Sequence, residues 1–170
     1  MLSESNFGIY FSYHQEMDAD RAEVVMNHSV SRKSDVPSIW TQDAWDAAVA
    51  QGTSHAEQMI ADALQGKKAT CLLIGERTVD KPWIRPVLKM SHELGMGILA
   101  VYIHTIPDFK GNLGKKGPNP MGNLKYKGRG NNEYPYASNY FSYDWKLHDG
   151  PNRFNYWVEA AVQQTHELGW

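Results

Sequence analysis

Two short polar segments follow apolar runs of the chain and carry side chains of the types that bind ligands or exchange protons. The first is the run 12–16, Ser-Tyr-His-Gln-Glu, and the second is the run 75–80, Gly-Glu-Arg-Thr-Val-Asp. In a doubly wound parallel sheet, ligands bind outside the carboxyl ends of the strands at the point where the strand order reverses. If the apolar runs are neighbouring strands of such a sheet, we expect Ser12, His14 and Gly75 to share one pocket.

Several motif-based functions are excluded by the content of these segments. A response-regulator receiver needs an acidic pair after its first strand and an aspartate ending its third, and here Ser12-Tyr13-His14 and Gly75 stand in those places. The first strand ends in neither a P-loop nor a dinucleotide-binding glycine fingerprint. The sequence also lacks a Gly-x-Ser-x-Gly elbow and a His-Glu-x-x-His pair. The seven histidines show no ligand spacing, so we predict no metal site.

The elements that must position these segments alternate between strands and helices. Apolar runs predict strands at 7–13, 69–74, 97–103 and 139–143, and a weaker signal at 36–40 allows a short edge strand. Helical periodicity predicts helices at 18–31, with Asp18 as N-cap, at 54–64, at 83–94 and from 151 onward. This order predicts an α/β fold of three layers with a doubly wound, mostly parallel five-stranded sheet.

A long connection, 104–138, follows the fourth predicted strand. It is rich in Gly, Pro, Asn and Lys, has neither helical nor strand period, and is longer than ordinary connections, which favours a functional loop or a disordered one. Six cations cluster in it: Lys110, Lys115, Lys116, Lys125, Lys127 and Arg129. They form either a solvated face or a lid facing a pyrophosphate. For a lid we expect Asn119 and Pro120 nearer the pocket than the opposite sheet edge.

Composition limits the remaining possibilities. With 170 residues, 42% of them hydrophobic, the chain is expected to fold as a single domain spanning 1–170. A formal net charge of −2 gives no reason to expect nucleic acid as a partner. Cys71 has no second cysteine to pair with, which favours a reducing compartment. Neither a signal peptide nor a membrane-spanning run is recognisable, so we expect a cytoplasmic protein without a membrane partner.

Four blocks of the sequence resemble the TIR-like family, and within it the TIR-like proteins of the bacterial Thoeris anti-phage system. In chain order they are Phe11-Ser12-Tyr13-His14 with Arg21 and Asn27; Leu73-Ile74-Gly75-x-x-Thr78 before Trp83; Lys116-Gly117-Pro118-Asn119-Pro120; and Asp144-Trp145-x-x-x-Asp149-Gly150-x-Asn152-x-Phe154-x-x-Trp157-Val158. Their order and spacing cover nearly the whole chain. The resemblance implies a TIR/flavodoxin-like fold.

The same resemblance implies an activity. Such a domain cleaves the nicotinamide glycosidic bond of NAD, as an NAD glycohydrolase or ADP-ribosyl cyclase, and releases a cyclic or modified ADP-ribose that activates an effector protein. NAD is then a substrate or ligand rather than a permanently bound cofactor, and TIR-type self-association makes a homo-oligomer a possible assembly. The residues expected to contact NAD are Phe11, Ser12, Tyr13, His14, Trp45, Gly75, Thr78 and Trp83.

One family position departs from the pattern. The family carries a glutamate in a Trp-x-x-x-Glu run, where its carboxylate meets the ribose and stabilises positive charge; here the run is Trp83-Ile84-Arg85-Pro86-Val87. Glu76 is the leading substitute carboxylate, followed by Asp43 and Asp80. Two classes stay open: an enzyme acting on NAD, and a weak or inactive module that binds nucleotide or scaffolds partners. If nucleotide binding outlives efficient catalysis here, Val87→Glu should raise NAD cleavage.

Overall fold

The computed structural model describes residues 8–29 and 40–167. Its strands are β1 (Gly8–Ser12), β2 (Lys67–Ile74), β3 (Gly97–Tyr102), β4 (Lys125–Lys127), β5 (Glu133–Pro135) and β6 (Ser142–Asp144). Its α-helices are α1 (Gln15–Asn27), α2 (Gln42–Ala50), α3 (Thr53–Leu64), α4 (Ile84–Glu93), α5 (Tyr136–Asn139) and α6 (Gly150–Glu167). In the described part of the chain, no helix is long and apolar enough to cross a membrane.

The main sheet is parallel and has the order β1-β2-β3-β6. The central strands β2 and β3 are buried almost throughout, because helices cover both of their faces. The first three correspond to the strands predicted at 7–13, 69–74 and 97–103. The strand predicted at 139–143 begins only at Ser142, because the helix α5 extends to Asn139. The strand allowed at 36–40 lies outside the described residues, except for Trp40, which is in no strand. The predicted α/β class with a parallel, doubly wound sheet is confirmed.

Alternation along the strands divides the core between the two faces of the sheet. Tyr10, Leu72 and Ile98 point to one face and pack with residues of α2, α3 and α4. Phe11, Cys71 and Leu99 point to the other face and pack with α1 and α6. The result is three layers, helices, sheet and helices, as the βαβ order of the sequence predicts.

The start of α1 differs from the prediction at Asp18. The helix begins at Gln15, and its N-cap is His14, whose Nδ1 accepts a hydrogen bond from the Met17 N–H (3.2 Å). Asp18 is therefore inside the first turn, where it is buried and forms a 3.1 Å ion pair with Arg21. The N-cap assignment to Asp18 was wrong because an imidazole took the capping role that usually falls to a short polar side chain.

The connection 104–138 also departs from the prediction, since it contains regular structure. Strands β4 and β5 form a two-stranded antiparallel hairpin, and the short helix α5 follows it. The first part of the connection is attached to α1 by Arg21, which donates to the carbonyls of Ile106 (2.7 Å) and Asn112 (3.0 Å).

Candidate functional site

The carboxyl ends of β1 and β2 lie side by side, so the two polar segments meet as the switch-point rule predicts. Ser12, the last residue of β1, is in register with Leu72 of the neighbouring strand. Gly75 contacts the first turn of α1: a Cβ built on it would lie less than 3.0 Å from the Asp18 carboxylate. Lys81, after the second segment, forms an ion pair with Glu16 of the first at 2.9 Å.

A small cavity lies at this junction. Its volume is about 20 Å³, room for about one water molecule. The lining residues are Tyr10, Phe11, Ser12, Tyr13, Gln15, Trp40 and Trp83. Four predicted contact residues, Phe11, Ser12, Tyr13 and Trp83, are thus brought together around it. His14 follows these residues in sequence, and Gly75 follows the neighbouring strand β2, but neither lines this cavity.

Tryptophans form one wall of the cavity. The rings of Trp40, Trp45 and Trp83 pack against one another with centroids 6.0 Å apart in each pair. Trp45 and Trp83 are buried, and Trp45 lies behind the other two rather than at the cavity. The predicted stacking role is therefore structurally available to Trp83, whereas Trp45 serves as its support.

Two other predicted contact residues, Thr78 and His14, hold the backbone at this edge of the sheet. The Thr78 hydroxyl accepts from the Gly75 N–H (2.8 Å) and donates to the Leu73 carbonyl (3.2 Å), which fixes the turn after β2. His14 caps α1, and its pKa is lowered, chiefly by burial and then by the nearby Lys81 ammonium. The neutral imidazole this favours is the form that can accept at Nδ1. Phe11 stacks on Phe154 with the ring centroids 6.2 Å apart.

The candidate carboxylates differ sharply in environment. Glu76 is exposed, beside Gly75, and makes neither a hydrogen bond nor an ion pair with the described residues. Asp80 is paired with Arg77 at 2.7 Å, and Asp43 is exposed in the first turn of α2. Val87 is completely buried in the core under α4. Of the three carboxylates that the sequence nominated, Glu76 is the one adjacent to the junction and unpaired.

Five buried polar side-chain atoms at the carboxyl ends of β1 and β3 have no hydrogen-bond partner among the described residues. They are Ser12 Oγ, Gln15 Oε1, Asp18 Oδ2, His104 Nδ1 and Thr105 Oγ1. Leaving one buried polar group unpaired costs about 1–3 kcal/mol, so native structures keep such groups for a reason. Of these residues, the sequence nominated Ser12 as a contact, and Gln15 lies in the polar run 12–16. Asp18, His104 and Thr105 follow β1 and β3 closely, and their position after a strand was the available signal.

Asp18 is the one carboxylate among these five residues, and it is almost completely buried. Burial raises the pKa of its carboxyl, and the charge and hydrogen bond of Arg21 offset part of that effect. One oxygen, Oδ1, bonds to Arg21, while Oδ2 has no partner. The site thus holds a negative charge or an acidic proton close to Gly75.

The connection 104–138 covers this edge of the sheet. A Cβ built on Gly117 would lie less than 3.0 Å from the carbonyl oxygens of Gly75 and Glu76, so these backbones are in close contact. The Lys116 ammonium lies 4.6 Å from the ring centroid of Tyr102, at the end of β3. Asn119, however, donates to Ser142 on the edge strand β6 (2.8 Å), so the expected placement of Asn119 away from that edge was wrong.

The fold and this site define a TIR-like α/β domain: a parallel sheet between helical layers, with ligand-type side chains gathered where β1 and β2 end. The chain belongs to the family described as Thoeris protein ThsB, TIR-like domain, whose model matches residues 10–108. A Bacillus cereus (strain MSX-D12) protein named "Putative cyclic ADP-D-ribose synthase ThsB1" is 28% identical over 187 aligned residues, which cover 88% of this chain and 97% of that protein. The family indicated by the four sequence blocks is confirmed.

Proposed function

We propose that this chain binds NAD at the carboxyl ends of β1, β2 and β3 and converts it to a cyclic or modified ADP-ribose that signals to an effector in anti-phage defence. The family match and the name of the Bacillus relative support the class of reaction. The observation that carries the proposal is the group of five unpartnered buried polar atoms at this edge. The site and the family match both support a ligand of this class.

The chemistry of these atoms suits a sugar. Asp18 Oδ2 and Gln15 Oε1 can accept hydrogen bonds, and the hydroxyls of Ser12 and Thr105 can both donate and accept. Ribose hydroxyls are donors and acceptors of the matching kind. Binding a ribose here would satisfy buried groups that otherwise lower the stability of the fold.

The junction must open before NAD can enter. Small-molecule sites usually measure about 300–1,000 Å³, whereas the cavity beside Ser12 holds about 20 Å³. Gly117 rests directly on the peptide of Gly75, so the connection that carries it would have to move for the junction to open. We therefore assign the segment around Gly117 as the cover of the site.

The reaction needs negative charge near the ribose. When the bond between the anomeric carbon and nicotinamide breaks, the electron pair leaves with nicotinamide and the sugar becomes positively charged. A hydroxyl of the same molecule, or water, then attacks the anomeric carbon and gives up its proton. Since Val87 supplies no charge, we assign the stabilising role to Glu76, the unpaired carboxylate next to Gly75. Removing one such electrostatic group typically costs about 10²–10³ in rate.

A second candidate function is a nucleotide-binding or scaffold module without efficient turnover. The buried Val87 at the family glutamate position and the closed junction favour it. It differs from the first candidate in one measurable quantity, the release of nicotinamide.

The test is incubation of the purified chain with NAD and chromatographic quantification of nicotinamide and of the ADP-ribose products. We expect turnover that falls about 10²-fold or more in Glu76→Gln. Glu23→Gln, an exposed glutamate on α1, is the matched control and should keep the parent rate. Nicotinamide release that is equal in both variants would remove Glu76 from the mechanism. NAD binding without any nicotinamide release would establish the second candidate.

A further inference from the structure

A second concave surface lies along α4 and shares no lining residue with the cavity beside Ser12. This α4 groove has a volume of about 1,140 Å³ and runs between α2 and α3 on one side and the β4–β5 hairpin on the other. Of the residues predicted to contact NAD, only Trp45 lines it. The groove is therefore a separate feature from the candidate NAD site.

Four cations stand on two facing walls of the groove. Arg85 and Lys89 are four residues apart on α4 and so share one helix face, while Lys125 and Lys127 are two apart on β4 and share one strand face. None of the four lies within 4.0 Å of a carboxylate of the described residues. Two lining glutamates, Glu57 and Glu93, leave an excess of positive charge in a chain whose net charge is −2.

Between the charged walls the groove is apolar and aromatic. Its lining includes Ala56, Ile60, Met90 and Leu124, together with the rings of Trp45, Tyr126 and Tyr136. His92 lies in the same lining and hydrogen-bonds through Nδ1 to the Tyr140 hydroxyl behind it. The ring centroids of Tyr126 and His92 lie 4.2 Å apart, and Tyr126 is only half-buried. The exposed part of the Tyr126 ring gives this lining an aromatic surface for a flat ring.

The geometry points to a nucleotide site in the α4 groove: a ligand with an aromatic base and a diphosphate, such as ADP. Cations that face one another across a gap concentrate positive potential in the middle, where a diphosphate would bind, and lysine and arginine are the usual phosphate donors. An apolar, ring-rich floor takes the base. The volume of about 1,140 Å³ lies just above the usual range of small-molecule sites, about 300–1,000 Å³, and so leaves room for a whole nucleotide.

This inference does not depend on NAD turnover at the other site. Its test is titration of the chain with N-methylanthraniloyl-ADP, followed by fluorescence, in Lys89→Ala/Lys125→Ala and in a matched double variant, Lys67→Ala/Lys68→Ala. The control pair removes the same charge at the start of β2, outside the groove. We expect the groove variant to weaken ADP binding at least about tenfold, and the control to change it less than about twofold. Circular dichroism of both variants checks that they are folded.

The location of the nucleotide decides between the two sites. A photoreactive azido-ADP should label peptides of α4 or the β4–β5 hairpin, and raising the salt should weaken binding because the cations are exposed. The inference would be overturned by any of three results. These are labelling confined to β1 and α1, an equal loss of ADP affinity in both double variants, and binding of an acidic peptide but not of ADP in the groove. Nicotinamide release in the same variants is measured separately, so failure of the groove site and failure of the proposed function are distinguishable.

Discussion

Gly75 has no room for a side chain, and this can be tested by a single methyl group. A Cβ built on Gly75 would lie 2.6 Å from Cγ and 2.8 Å from Oδ1 of Asp18, closer than real Cβ contacts allow. The carboxylate cannot simply rotate away, because Asp18 is buried and tied to Arg21 at 3.1 Å. Gly75→Ala must therefore displace a buried ion pair at the centre of the candidate site.

The expected cost follows from two effects. Overpacking a dense interior costs about 1–3 kcal/mol, and weakening a buried ion pair costs up to about 3–5 kcal/mol when one partner is left alone. We expect Gly75→Ala to lower the free energy of unfolding by about 2–4 kcal/mol in urea titrations. For a domain of this size that corresponds to a fall in Tm of roughly 4–16 °C.

Two further variants make the reasoning refutable. Gly114→Ala is the matched control, since its Cβ would meet nothing closer than 3.6 Å, and it should change stability by less than about 0.5 kcal/mol. In an Asp18→Ala background the clash is absent, so Gly75→Ala should cost less than about 1 kcal/mol there. Equal stability of Gly75→Ala and Gly114→Ala, or additive effects of Gly75→Ala and Asp18→Ala, would refute this account of the packing.

Two other features lead to predictions of stability. Arg21→Ala removes the donor that holds the carbonyls of Ile106 and Asn112, and it leaves Asp18 without its ion-pair partner. Amide exchange over 104–114 should therefore accelerate, and the free energy of unfolding should fall by about 3–5 kcal/mol. Arg21→Lys, which keeps the positive charge, should lose less. Burial lowers the pKa of His92 in the folded chain. In the unfolded chain the pKa of this histidine is about 6.5. As the pH falls through that value, the unfolded state binds the proton first, so the free energy of unfolding decreases with acidification. His92→Gln should flatten that part of the pH dependence.

Sequence patterns were most informative where one physical requirement dominated. The run 69–74 is continuously apolar because β2 is covered on both faces, so its strand and its place beside β1 were predictable. The helix α2 was missed because nine residues with a Thr41 cap give a short and weak periodic signal. The β4–β5 hairpin was missed because its strands have three residues each and its turn region, rich in Gly and Asn, resembles a loop.

The candidate site was predictable in position but not in detail. The switch-point rule correctly placed the segments after β1 and β2 next to each other, because it depends only on strand order. Whether a side chain lines a cavity or supports the backbone depends on tertiary packing. Thr78 bonds to the Gly75 N–H, and Trp45 lies outside the lining of the cavity beside Ser12, while Asp18 and Gln15 carry the unpartnered atoms. Burial without a partner is a property of the folded chain and leaves no trace in residue spacing.

The structure changes what should be expected of Val87→Glu, the substitution that would complete a Trp-x-x-x-Glu run beginning at Trp83. Val87 is completely buried in the same apolar cluster as Tyr10 and Leu88. A carboxyl group introduced there would lose its hydration and gain no hydrogen-bond partner in exchange. Burial would raise its pKa, and the neutral acid could not stabilise a positively charged sugar at pH 7. We now expect Val87→Glu to lose several kcal/mol of stability, on the order of the cost of an unpaired buried polar or charged group, and to leave nicotinamide release no higher than in the parent. Val87→Gln, which is similar in size and cannot ionise, should be destabilised by less, and urea unfolding compares the two directly. If Val87→Glu instead cleaves NAD faster than both Val87→Gln and the parent, then α4 rotates to present this position to the ribose, and Glu76 is not the carboxylate on which this chain relies.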